Sequence, residues 1–307
     1  MIKEDRLNEI VRLFPVEMKE KMHFEKIKYT QLREIRIRVN QHIRIRTCTG
    51  ELAIEDFEVN ENQIYKIIEK ACEYSLYSYE ENMKQGFITI KGGHRIGIGG
   101  HVLAEKGGVK GLSKITFLCI RAAHEVMGCA DSIMDFVYGE GRLKHTLIVS
   151  PPAYGKTTLL RDLVRQLSDG CRLSNNMVIS GKNVCVIDER SEIAACFKGV
   201  PQNNVGTRTD VLDNCPKSEG MLMAVRALSP QIIAVDEIGG IKDVEAVMYC
   251  IHCGCIVVGT VHGWNEDELL QRKGIKELLS FGAFERLIFL TGNEKHEARC
   301  VDWRGYI

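Results

Sequence analysis

No stretch of this 307-residue sequence approaches the roughly 18 consecutive apolar residues that a membrane-spanning helix requires. Its first residues, MIKEDRLNEIVRLF, mix charged and apolar side chains without the apolar block of an export signal, so the chain is expected to stay in the cytosol. A surplus of charge is missing too. Lys plus Arg total 41 and Asp plus Glu total 41, so no global field recruits nucleic acid or anionic lipid, and any such contact needs a local patch. Repeats and low-complexity segments are absent. The 12 cysteines are scattered through apolar segments rather than spaced as a secreted framework, which implies reduced, buried thiols and no disulfides. The one close group, Cys250, His252, Cys253 and Cys255, lacks a second ligand pair at zinc-site spacing, which favours packed cysteines over a metal.

What is present divides in two. Residues 1–140 read as a smaller α+β domain, with an amphipathic helix near Leu7 to Met22 and alternating strands in REIRIRVNQHIRIRT. A helix across Gln63 to Tyr79 follows, then strands in GFITIKGGHRIGIGGHVL and KITFLCIR. The glycine spacing in GGHRIGIGGH precedes more strand rather than a helix, so it marks a hairpin or bulge and not a dinucleotide loop. Met127 to Arg142 is expected to hold a short helix and a hinge.

Residues 141–307 alternate apolar strands with helices: TLIVS, a helix from Lys156, NVCVID, a helix around Met221 to Leu228, QIIAVDE, a helix around Val244 to Cys250, CIVVGTVH and ERLIFLTG. Near-continuous apolar strands separated by helices are what a parallel sheet covered on both faces demands, which makes this half a nucleotide-fold candidate.

Between its first strand and helix lies SPPAYGKT, which matches the phosphate-loop pattern GxxxxGK[ST] everywhere but at Ser150. The candidate cradle runs through Pro152, Ala153, Tyr154, Gly155, Lys156, Thr157 and Thr158. Gly155 lets the backbone approach phosphate, Lys156 reaches the β- and γ-oxygens, and Thr157 holds magnesium, with the helix start adding its positive end. Pro151 and Pro152 remove two N–H donors only where donors are not yet aimed at a ligand.

Hydrolysis needs carboxylates as well. Two apolar strands end in acid pairs, Asp188–Glu189 and Asp236–Glu237, the aspartates as candidate magnesium ligands and the glutamates to orient water. His262 ends another strand, where it could donate a hydrogen bond beside a γ-phosphate. Arg208 and Arg226 are candidates to stabilise developing charge, in their own site or a neighbour's. Pro201 to Asp213 reads as a functional loop. Arg36, Arg38, Arg44 and Arg46 fall toward one side of paired strands, a feature shared by a nucleic-acid surface and by a solvated or salt-bridged face.

With the phosphate loop, IDERSEI, AVRALSPQIIAVDEIGG and GTVHG in that order, the second half resembles the type II and type IV secretion ATPases, ring-forming relatives of the RecA-like motors. VPQNNVGTRTDVLDNCPKSEGM, IDERSEIA and GGHRIGIGGHV extend the resemblance over nearly the whole chain, to the sporulation stage III AA family. The resemblance implies a RecA-like P-loop domain and hydrolysis of ATP with Mg2+. It also implies a homo-hexamer docked on membrane channel proteins between mother cell and forespore, at the cytoplasmic face, with no stable nucleic-acid partner. Glu237 becomes the principal catalytic residue, with Glu189 beside it in an acidic box and His262 in a histidine box. Departures are Asp188 preceding Glu189, where glutamate before aspartate is usual, and Asp236 where glycine is common. A nucleic-acid-stimulated motor and a non-hydrolysing nucleotide switch remain the alternatives.

Overall fold

The computed structural model describes residues 3–75, 79, 83–105, 108–292 and 297–306. The chain forms two compact units, Met1–His124 and Glu125–Ile307.

In the first unit a six-stranded antiparallel sheet has the order β3-β2-β1-β6-β5-β4, formed by β1 (Leu32–Arg38), β2 (His42–Thr47), β3 (Gly50–Glu58), β4 (Phe87–Thr89), β5 (Arg95–Glu105) and β6 (Gly108–Arg121). Alternation puts Ile35, Ile37, Ile43 and Ile45 in the core against Ile10, Met18, Ile64 and Ile67 from the helices and Phe14 from the turn between the first two. The amphipathic segment expected near Leu7 to Met22 is two helices, Lys3–Val11 and Val16–Met22, parted ahead of Val16 by Pro15, whose ring cannot continue the first. The helix expected across Gln63 to Tyr79 is Glu61–Ala71, started by a capping box in which Asn60 accepts from the Gln63 amide and Gln63 answers. Residues 76–78 lie outside the described residues. GGHRIGIGGH opens the β5–β6 ribbon, whose register shifts between Gly99 and Gly100. A Cβ at Gly100 would come within 1.9 Å of the Lys114 carbonyl oxygen, so the bulge requires glycine.

The second unit begins with the short helix Met134–Val137 and a small hairpin of β7 (Tyr138–Gly139) and β8 (Arg142–Leu143). Then come β9 (Thr146–Ser150), the ribbon of β10 (Gly170–Arg172) and β11 (Val178–Ser180), β12 (Val184–Asp188), β13 (Thr209–Asp213), β14 (Ile232–Val235), β15 (Ile256–His262), β16 (Arg286–Leu290) and β17 (Ala298–Asp302). The main sheet has the order β13-β12-β14-β15-β9-β16-β17, parallel except for the edge strand β17. Strand β13 falls inside the segment expected to be a loop. Its TDVLD residues pair with VCVID of β12 at the sheet edge and are only partly buried, which is why their periodicity is weak.

Both faces of this sheet are covered, as the continuous apolar strands require. Even-numbered residues (Ile148, Val184, Val186, Ile232, Ala234, Val258) pack with Leu159, Leu160, Leu163 and Leu167 of the helix Lys156–Asp169. Odd-numbered ones (Leu147, Val149, Cys185, Ile187, Ile233, Val235, Val257, Val261) pack with the helices Lys217–Ala227, Ile241–His252 and Lys273–Ser280. This parity decides which side chains meet at the sheet's edge. Among the described residues, no helix is long and apolar enough to cross a membrane.

Candidate functional site

Parallel pairing lines up the C-terminal ends of β9, β15, β14 and β12 on one edge, where the loop after β9 turns into a helix. A cleft of about 450 Å3 opens there, lined by Pro152, Ala153, Gly155, Lys156, Thr157, Thr158, Arg190, Glu192, Asp236, Glu237 and His262. The edge of a parallel sheet at its strands' carboxyl ends is where ligands of such folds bind.

The loop makes its turn through two left-handed residues, Ala153 (φ 67°) and Gly155 (φ 87°). Gly155 caps the helix in a conformation that costs glycine nothing. Ser150, at the position where glycine is usual, is buried, and its hydroxyl donates to the Pro151 carbonyl at 2.9 Å. A serine here therefore closes the turn without entering the cleft. Tyr154 turns the other way, its ring edge-on to Trp264 with centroids 5.7 Å apart.

Lys156 is buried, and its ammonium donates to the carbonyls of Ser150 (3.1 Å) and Pro151 (3.2 Å) and to Nδ1 of His262 (2.9 Å). Burial pulls its pKa below the usual lysine value, opposed by the Asp236 and Glu237 carboxylates. An ammonium only donates, so Nδ1 of His262 must accept and the ring proton resides on Nε2. That nitrogen lies 3.4 Å from Oε1 of Glu237. Arg190 reaches Oε2 of the same carboxylate at 2.9 Å.

Thr157 donates to Oδ2 of Asp236 at 2.8 Å, and Thr260 donates to the other oxygen. The Thr260 hydroxyl also accepts from the Glu237 amide at 2.8 Å. Glu237 sits at φ 57°, a left-handed conformation that swings an odd-numbered side chain over to the cleft. A threonine hydroxyl that donates to a carboxylate keeps lone pairs for a hard cation, so Thr157 and Asp236 fit Mg2+, while Lys156, the Gly155 region and the helix start fit phosphate.

The structure does not bring Asp188 and Glu189 to this cleft, contrary to the expected metal and catalytic placements. Asp188 is on the face of the Lys156–Asp169 helix, three strands from β9 and thus about 14 Å along the sheet. Its carboxylate is buried and accepts the amides of Glu192 (2.8 Å), Ile193 (3.0 Å) and Ala194 (2.8 Å). Burial pushes its pKa up to about 6 against the pull of those amides. It fixes the loop rather than facing a metal. Glu189, of odd parity, points to the other face, where Lys217 donates to it at 2.6 Å. The acidic loop instead offers the cleft Arg190 and Glu192.

The two arginines singled out by sequence also lie elsewhere in the unit. Arg208 precedes β13, at the N-terminal edge, and its Nη1 donates to the Ser168 carbonyl at 3.2 Å. Arg226 is exposed in the last turn of the helix that leads into β14, so it too is at that opposite edge. Neither meets the cleft of its own chain. Thr260 and Arg190 were not singled out. Thr260 shares the even parity of Val258 and His262, and that is the signal that would have found it. Cys250 and Cys255, from the suspected metal cluster, are buried and donate to the carbonyls of Met221 (3.9 Å) and Pro230 (3.3 Å).

Known proteins match this architecture. The model of the family "Sporulation stage III, protein AA" covers residues 4–302. Stage III sporulation protein AA of Bacillus subtilis (strain 168) is 38% identical over 286 residues, 93% of this chain and 91% of that protein. Among solved structures, the Legionella pneumophila ATPase DotB superposes with a TM-score of 0.58 at 14% identity, covering 94% of this chain and 79% of that one. The pilus retraction motor PilT with bound ADP gives a TM-score of 0.58 at 16% identity, covering 89% and 76%. Those two likenesses establish a shared fold, a RecA-like P-loop domain with a smaller α+β domain before it. The match to the family model across nearly all of its length and the 38% identity establish more: this chain belongs to the sporulation stage III protein AA family.

Proposed function

We propose that this protein is an ATPase of the secretion-motor kind that binds MgATP in the β9 cleft and hydrolyses it. The observation that carries the reading is one constellation: a phosphate-loop lysine and threonine facing Asp236, Glu237 and His262 across the end of a parallel sheet. In this reading Lys156 leaves its two carbonyls for the β- and γ-oxygens, and Gly155 and the helix start receive the phosphates through backbone amides. Thr157 and Asp236 hold Mg2+, which when bound neutralises phosphate charge. Glu237 takes the proton of the attacking water, and His262, with its Nε2 proton, steadies that carboxylate and the lysine together. Positioning and electrostatics supply most of the acceleration.

Ring assembly would give Arg208 and Arg226, both remote from their own cleft, a place at a neighbour's. The Bacillus relative's name places that protein in sporulation; in this reading the present chain works in the same setting, as a homo-hexamer docked on membrane channel proteins and powering assembly or transport. Phosphate release by the purified chain under excess MgATP, lost in Lys156→Ala, tests the reading.

A second reading, a nucleic-acid-stimulated motor, draws on the outer face of the first unit's sheet. There Arg36, Arg38 and Arg121 line a groove of about 420 Å3 with Phe117. Against it, Arg36 and Arg44 sit opposite each other and are each paired with a glutamate at 2.6 Å, Glu34 and Glu51. Salt-sensitive stimulation of turnover by single-stranded DNA or RNA separates the two readings.

A further inference from the structure

Arg190 is a cleft residue that no phosphate-loop pattern contains. The loop on either side of it is anchored, and its side chain reaches out into the cleft. On one side of it Asp188 accepts three loop amides; on the other Arg161 donates to the carbonyls of Glu192 (2.7 Å) and Ile193 (2.5 Å), and Ser191 donates to Asp213. The guanidinium itself is 60% exposed, lines the cleft and pairs with Glu237 at 2.9 Å. Glu237 therefore has a cation at one oxygen and the His262 ring at the other. Lys156, meanwhile, has its three donors turned onto two carbonyls and His262.

Resting on the nucleotide-binding reading above, we infer that Arg190 is a γ-phosphate ligand that holds Glu237 aside until a triphosphate arrives. A guanidinium prefers a phosphate, with more charge and matching fork geometry, to a single carboxylate. Its reach is set by an anchored loop, so the exchange needs only side-chain rotation. Transfer of Arg190 to the γ-phosphate frees Oε2 of Glu237 for water, which couples readiness for hydrolysis to the presence of the third phosphate. A diphosphate leaves Arg190 on Glu237.

The test is calorimetric titration of the full chain with MgADP and with the magnesium complex of β,γ-imido-ATP. Arg190→Ala is expected to leave MgADP affinity unchanged and to weaken the imido analogue by roughly tenfold to a hundredfold, the worth of a charge-assisted hydrogen bond. Arg190→Lys, which keeps the charge without the fork, restores part of that loss. Glu237→Gln, which removes the carboxylate that competes for Arg190, tightens the analogue, and does so only while Arg190 is present. Equal effects of Arg190→Ala on both nucleotides, or none on either, overturn the inference while leaving nucleotide binding intact. Wild-type chain that binds neither nucleotide overturns the nucleotide-binding reading, and this inference with it.

Discussion

Thr260→Val is the substitution that most sharply separates the site's geometry from its surface. Valine matches threonine in shape, and Thr260 is fully buried, so the cost of the variant lies in the lost hydroxyl rather than in a change of volume. The variant loses two hydrogen bonds made by one hydroxyl, the donation to Asp236 and the acceptance from the Glu237 amide at 2.8 Å. A hydrogen bond to a charged group contributes about 1.5–3 kcal/mol, and an amide left without a partner costs about 1–3 kcal/mol. The second cost sits at the low end because Glu237 is only partly buried. The sum is about 2.5–4 kcal/mol, a large fraction of a domain's stability. Both tryptophans, Trp264 and Trp303, lie in the second unit, so urea unfolding followed by tryptophan fluorescence reads this unit alone. Because Thr260 also holds the left-handed turn that swings Glu237 into the cleft, ATP turnover should fall at least tenfold in the variant, with MgADP binding retained. A variant within about 0.5 kcal/mol of wild type, the range of a neutral surface substitution, with unchanged turnover would refute the reasoning.

Two further outcomes are expected, one at the cleft and one in the first unit. Glu237→Gln should reduce turnover by about a hundredfold or more, as removal of a general base does, whereas Glu189→Gln, whose carboxylate faces Lys217, should change it by less than about tenfold; steady-state phosphate release compares them. In the first unit, buried His94 donates from Nε2 to the Arg6 carbonyl (2.8 Å) and accepts the Ala123 amide at Nδ1 (3.1 Å), and burial lowers its pKa from 6.5 to about 4. The folded state thus favours the neutral ring. Its contribution is whole above pH 6.5 and is lost as pH falls through 4, a loss of about 3 kcal/mol that unfolding measured across that window should show and His94→Gln should lack.

Much of the site was legible because a parallel sheet converts sequence order into place. Lys156, Asp236 and His262 each follow an apolar strand, and parallel pairing brings such strand ends to one edge whatever the loops do. Strand order was not legible, and that is what moved Asp188 away: β14 and β15 insert between β12 and β9. Side-chain parity is carried by the alternation along each strand. Even positions face the Lys156–Asp169 helix, so Asp236, Thr260 and His262 converge there, and odd Glu189 turns to Lys217. Glu237 escapes its own parity through a left-handed backbone that no pattern of apolar residues announces. Strand β13 was hidden for another reason: an edge strand with partly buried faces lacks the continuous apolar run that marked its neighbours.

The central claim is that the loop ending in Lys156 takes the phosphates of ATP within reach of Glu237. Phosphate release by the purified full chain, under excess ATP with Mg2+, with EDTA, and with Lys156→Ala in place of wild type, tests it most directly. The account predicts many phosphates per wild-type chain with Mg2+ and none in the other two conditions. Equal release by wild type and Lys156→Ala, or no release by the assembled wild-type protein, would contradict it.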